Sequence, residues 1–111
     1  MSVLFTVTTP VGHVARLESG AYYGHVRARK PPALVPSIQD VKVSLVQPDE
    51  VRASKIAADA YWYARPDGTF KGDRPCFTLT CLQLDAPLSG YVATTFRTPQ
   101  NGSSKGAKVW P

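Results

Sequence analysis

The chain has 111 residues, 43% of them hydrophobic and 10% aromatic, which suits one domain with one modest core and excludes a disordered chain. Thirteen Lys and Arg against eight Asp and Glu give a formal charge of +5, which favours an anionic partner, nucleic acid being the commonest. No apolar run reaches the roughly 18 residues that span a bilayer. Residues 1–5 also lack a basic segment leading into an apolar stretch and a small-residue cleavage site, so a cytoplasmic protein with no membrane partner is expected.

In chain order, Val3 to Thr8 alternates loosely and is rich in β-branched residues. Pro10-Val11-Gly12 breaks the run, and His13 to Leu17 alternates again, which predicts a β-hairpin with His13 at the surface. Glu18-Ser19-Gly20 is a turn. Tyr22, Val26 and Arg29 then recur at helical spacing over 21–29, and Pro31-Pro32 stops the helix near Lys30, because a residue before proline is pushed out of the α region. Pro36-Ser37 opens a second helix with Ile38, Val41 and Leu45 as its apolar stripe and Asp40 in the first turn. Val43 and Val46 also suit a strand.

Val51 to Lys55 reads as the start of a strand, and 60–64 as a strand that sends Trp62 to the face opposite Tyr61 and Tyr63. Pro66-Asp67-Gly68-Thr69 reads as a turn. Cys76 to Leu84 and Tyr91 to Thr98 are strands joined by a turn at 87–90, with one of Thr94 and Thr95 facing the core. From Pro99 the composition turns to Asn, Gly, Ser and Lys, which predicts a flexible tail over 99–111 after a single domain over 1–98. The order predicts an α+β fold: an N-terminal β-hairpin and two helices packed on one face of an antiparallel β-meander.

Cys76 and Cys81 are an odd number of residues apart in one strand, so they point to opposite faces and do not pair. Two Cys and two His at scattered spacing do not make a zinc site, and no metal or cofactor is expected.

Two short motifs carry chemistry. His25-Val26-Arg27-Ala28-Arg29-Lys30-Pro31 places an imidazole beside several cations, and Pro48-Asp49-Glu50-Val51-Arg52-Ala53-Ser54 follows about one helix later. A group that titrates near neutrality beside fixed positive charge suits work on a phosphodiester. The plainer readings are equally physical. His25 and Arg29 are ordinary for a helix surface, Arg52 is placed to pair with Asp49 or Glu50, and threonines such as Thr94 are common in strands.

With the residues laid out this way, the chain resembles the barnase–EndoU–colicin–RelE superfamily of small ribonucleases, in particular its phage and polymorphic-toxin branches. The resemblance rests on His25, Pro31, Pro48, Glu50, Val51, Arg52, Ser54, Tyr61, Tyr63 and Thr94, and covers residues 3–98. The family pattern has a second histidine where this chain has Lys30.

The resemblance implies a small metal-independent endoribonuclease, a toxin or phage-encoded protein, in which the RNA 2′-hydroxyl is the nucleophile. His25, Arg52 and Thr94 would be catalytic, with the imidazole moving protons and the guanidinium holding phosphate oxygens. Arg29, Lys30, Ser54, Tyr61 and Tyr63 would bind substrate, the tyrosines by stacking on bases. RNA, a cognate antitoxin or immunity protein, or a host protein complex would be the partners. The alternative is a catalytically weakened member of the same superfamily, a phage or mobile-element protein that binds and inhibits a host RNA or protein complex.

Overall fold

A computed structural model describes residues 2–70 and 72–111. The chain forms one α+β fold around a seven-stranded, mostly antiparallel sheet. β1 (Val3–Thr8) and β2 (Val14–Glu18) make the expected hairpin. The helical segment α1 follows over 19–29. It is α-wound over Ser19–Ala21, π-wound over Tyr22–Val26 and α-wound again over Arg27–Arg29. A 3-10 turn at Pro32–Leu34 leads to α2 (Ile38–Val46), whose Ser37 side chain accepts from the Asp40 N–H at 3.1 Å, a standard helix cap. Then come β3 (Glu50–Ala53), β4 (Ala60–Thr69), β5 (Pro75–Ala86), β6 (Ser89–Thr98) and β7 (Lys108–Trp110).

The strand order is β1-β2-β6-β5-β4-β3-β7. The hairpin therefore extends the sheet instead of lying apart from the meander, through a parallel β2–β6 pair that runs from Val14↔Ser89 to Arg16↔Tyr91. β4 continues through the expected turn at 66–69, bulging between Pro66 and Thr69. The segment 99–111, expected as a flexible tail, holds a 3-10 turn at Ser103–Lys105 and then pairs β7 with β3. Its polar composition hid an edge strand that is anchored by Trp110 against the core.

The core lies between α2 and one face of the sheet. Ala15, Leu17, Tyr22, Val41, Leu45, Val51, Tyr63, Leu82 and Val92 are buried there together. A polar seam crosses this apolar layer. Ser44 Oγ meets Thr80 Oγ1 at 2.8 Å and Thr80 meets Thr95 at 2.9 Å, with Thr95 donating to the Leu79 carbonyl at 3.0 Å, so each buried hydroxyl has a partner. Thr95 is thus the core-facing member of its pair. Cys76 and Cys81 are buried, free and on opposite faces of β5, as the spacing required. Burial raises the pKa of both thiols.

His13, expected at the surface, is buried at 5% exposure. Its Nδ1 lies 2.9 Å from Tyr63 Oη, which donates to Thr9 Oγ1 at 2.7 Å. The tight Thr9–His13 turn folds the ring inward, where it packs at 4.6 Å on Tyr61. Among the described residues no helix is long and apolar enough to cross a membrane.

Candidate functional site

The sheet's second face, opposite α2, carries the exposed chemistry. Strand register sets one row of side chains across it: Arg52 pairs with Trp62, Trp62 with Cys81, and Cys81 with Thr94, while Lys108 of β7 pairs with Arg52 on the other side. Neighbouring strands are about 4.8 Å apart, so Arg52 and Thr94 are separated by about 14 Å of sheet. Phe96 lies on the same face two residues beyond Thr94, and its ring meets Trp62 edge-on at 5.9 Å.

Two elements bring cations to this row. β2 stops pairing with β6 at Tyr91, and α1 with its 3-10 turn packs on β6 beyond that point. Lys30, just after α1, reaches over that edge. Its Nζ donates to Thr94 Oγ1 at 3.1 Å and stands 5.9 Å from the Phe96 ring centre. Partial burial lowers its pKa. From the opposite end the C-terminal segment crosses the face. Gly102 lies over Leu79 and Ala64, and Lys105 Nζ sits 4.7 Å from the Trp62 ring centre and 5.6 Å from that of Phe96. Gly106 fastens this strap, since a Cβ there would overlap the Ala53 carbonyl oxygen.

The expected site residues divide. Lys30 and Thr94 come together, and Ser54 borders the same face beside Trp62. His25 and Arg29 are exposed on α1, and neither makes a side-chain hydrogen bond among the described residues.

Arg52 is on the row but is already engaged. Its Nε and Nη2 donate to Glu50 at 3.0 and 3.2 Å, and its Nη1 donates to the Gly106 carbonyl at 2.9 Å. The carboxylate two residues back on the same face takes the guanidinium, so Arg52 is a clasp between β3 and the strap and not an open phosphate ligand.

Tyr61 and Tyr63 do not stack on a ligand at this site. Strand alternation turns both to the core face, where Tyr63 is 0% exposed and Tyr61 packs against the core cluster. Burial pushes the Tyr63 hydroxyl up to about 12, which keeps it a donor to Thr9.

Trp62, Phe96 and Lys105 were not singled out from sequence. Trp62 was legible by alternation, as the residue that must oppose the two tyrosines. Lys105 carried no signal, because its position depends on how the strap crosses the sheet.

The described residues contain no group of three or more His, Cys, Asp or Glu placed to hold a metal ion. What the face offers is two ammoniums, two aromatic rings and a hydroxyl on a single β-surface. No protein-family model, curated protein or solved structure matches this chain.

Proposed function

We propose that the sheet face opposite α2 binds single-stranded RNA. The observation that carries this reading is the placement of Lys30 and Lys105 on the Trp62–Phe96 pair, beside the Thr94 hydroxyl. Cations attract the phosphate backbone, and aromatic rings accept bases by stacking without regard to sequence. Lys55, Arg27 and Arg29 are exposed and add to the basic character of a chain with formal charge +5. In this reading the chain is a phage or mobile-element type binding protein on a barnase–EndoU–colicin–RelE-like scaffold, and a host RNA or RNA–protein complex is its target.

The test is titration of a fluorescent single-stranded oligoribonucleotide at a series of salt concentrations. Each phosphate contact to a single strand contributes about 0.7 to the slope of log affinity against log salt, so a slope of about 2 to 4 is expected. Absence of binding at low salt, or binding indifferent to salt, overturns the reading.

A second reading, the metal-independent endoribonuclease, is favoured by one observation. Lys30 is a partly desolvated ammonium held on a hydroxyl, and its lowered pKa brings it closer to general-acid chemistry than a solvated lysine. In that scheme Lys30 protonates the departing 5′-oxygen, His25 takes the 2′-hydroxyl proton, and Lys105 faces the negative phosphorane. Cleavage of RNA in EDTA by the purified protein separates the two readings.

A further inference from the structure

We propose that the hollow beside Trp62 is a nucleotide pocket, which takes one unpaired base against the indole and that base's phosphate on Lys105. This deepens the reading of the face as an RNA-binding surface and rests on it. The hollow has a volume of about 350 Å³, within the range of roughly 300–1,000 Å³ typical of small-ligand sites. Trp62 and Cys81 contribute from the sheet, Ser54 and Ile56 from the loop after β3, and Ser104 and Lys105 from the strap.

Both walls are built before any ligand arrives. The Ser54 hydroxyl oxygen accepts from the Ile56 and Ala57 N–H groups, each at 3.2 Å, which fixes the loop. The Lys55 N–H donates to the Lys105 carbonyl at 3.1 Å, which joins loop to strap. Preformed walls reduce the ordering cost of binding. Ser54 keeps its own hydroxyl proton to donate to a base edge. The buried Cys81 thiol, raised by desolvation, stays protonated and gives the pocket a soft apolar wall.

Two features identify the occupant. Ile56 is 91% exposed at this site, a large aliphatic side chain that a planar base would cover. Lys105 lies over the Trp62 ring, on the surface where a base would stack. A base entering here displaces the ammonium from the indole. A nucleotide compensates that loss, because its phosphate receives the ammonium; a nucleoside does not. The site therefore selects nucleotides over nucleosides. A cationic ligand, which an aromatic pair alone would suit, is opposed by Lys105 itself and by Lys30 and Lys55 nearby.

The test uses Trp62 emission in a Trp110→Phe background, since the chain has only these two tryptophans. Circular dichroism first checks that this variant melts like the parent. Single-stranded oligoadenylate, AMP and adenosine are the probes. Oligoadenylate and AMP are expected to quench Trp62, with adenosine at least tenfold weaker than AMP. Trp62→Leu should weaken oligoadenylate binding about ten- to a hundredfold. Ile56→Ser, at an exposed position that does not risk the fold, should weaken it severalfold. Lys105→Gln should remove the preference for AMP over adenosine and lower the salt slope by about 0.7.

Oligoadenylate that binds without changing Trp62 emission, and equally well to Ile56→Ser and Lys105→Gln, overturns the pocket and leaves the sheet-face reading standing. AMP that quenches while oligoadenylate does not bind supports the pocket and overturns the sheet-face reading. Silence from all three probes overturns both.

Discussion

Lys30 and Thr94 lie 64 positions apart in the chain, and the lysine ammonium donates to the threonine hydroxyl at 3.1 Å. The bond brings the end of α1 onto the sheet face that carries Trp62 and Phe96. It also draws inward the cation that follows a helix whose own Arg27 and Arg29 are exposed. Lys30→Gln is expected to weaken single-stranded RNA binding and lower the salt slope by about 0.7, while Lys30→Arg keeps the charge and most of the affinity. Denaturant midpoints should show both variants within about 0.5 kcal/mol of the parent. A Lys30→Gln protein that binds like the parent removes Lys30 from the interface.

Catalysis is tested by total RNA and purified protein in EDTA. If the endoribonuclease reading holds, His25→Ala lowers cleavage about a hundred- to ten-thousandfold. Lys30→His then raises it by restoring a proton carrier with a pKa near neutrality. RNA that stays intact with both the parent and Lys30→His leaves binding as the function of this face.

Stability should fall on mild acidification because of His13. Burial lowers the pKa of this imidazole below its ordinary 6.5, so the unfolded chain takes up the proton first. The stabilising contribution is complete above about pH 6.5 and is lost as pH falls towards the folded-state value, at no more than about 1.4 kcal/mol per pH unit. The satisfied arrangement has His13 Nδ1–H donating to Tyr63, which donates to Thr9. Melting temperature measured from pH 8 to pH 5 should show this decline, and His13→Gln should flatten it. An identical profile in His13→Gln assigns the effect to other groups.

Arg52→Ala is expected to act on stability, not on RNA affinity. It leaves the mostly buried Glu50 carboxylate with only the more distant Lys108 ammonium, at 4.0 Å, and releases the Gly106 carbonyl, at a cost of about 2 kcal/mol. Urea denaturation checks the loss. Unchanged stability together with at least tenfold weaker RNA binding would return Arg52 to the role of phosphate ligand.

A chain ending at Thr98 should lose stability as well, because β7 covers the outer edge of β3 and Trp110 packs on the core. The comparison of thermal melts is direct. A truncated protein with the parent's melting temperature would show that the strap adds nothing to the fold.

Most of the scaffold was legible because its signals are local. The alternation of β1 and β2, the opening of α2 at Pro36-Ser37 with Asp40 in its first turn, and the Pro31–Pro32 stop each depend on a few adjacent residues, and the structure has them there. What failed depends on distant partners. His13 looks like a residue beyond a turn until Tyr63, 50 positions away, supplies its hydrogen bond. The last segment reads as a linker because its glycines and serines suit one, yet Gly106 is what lets the strap meet Ala53. At the site, Lys30 and Thr94 were named from sequence and do meet. Arg52 was named as well, but the sequence left open whether Glu50 or a ligand would hold it. Tyr61 and Tyr63 were placed by motif, although the period of two already implied that they share a face away from Trp62.

The parallel pairing of Ala15 with Gly90 has a kinetic consequence. The β1–β2 hairpin is local and can close early, but its place in the sheet waits for a strand roughly 75 positions further along. Loop-closure entropy is spent before that contact rewards it, and such long-range contacts slow folding. On the ribosome the hairpin emerges well before β6 and completes its pairing only when that strand has been made. Until then the inner edge of β2, with Ala15 and Leu17 on its apolar side, has no neighbour. That edge is where misassembly between nascent or refolding chains is expected to start.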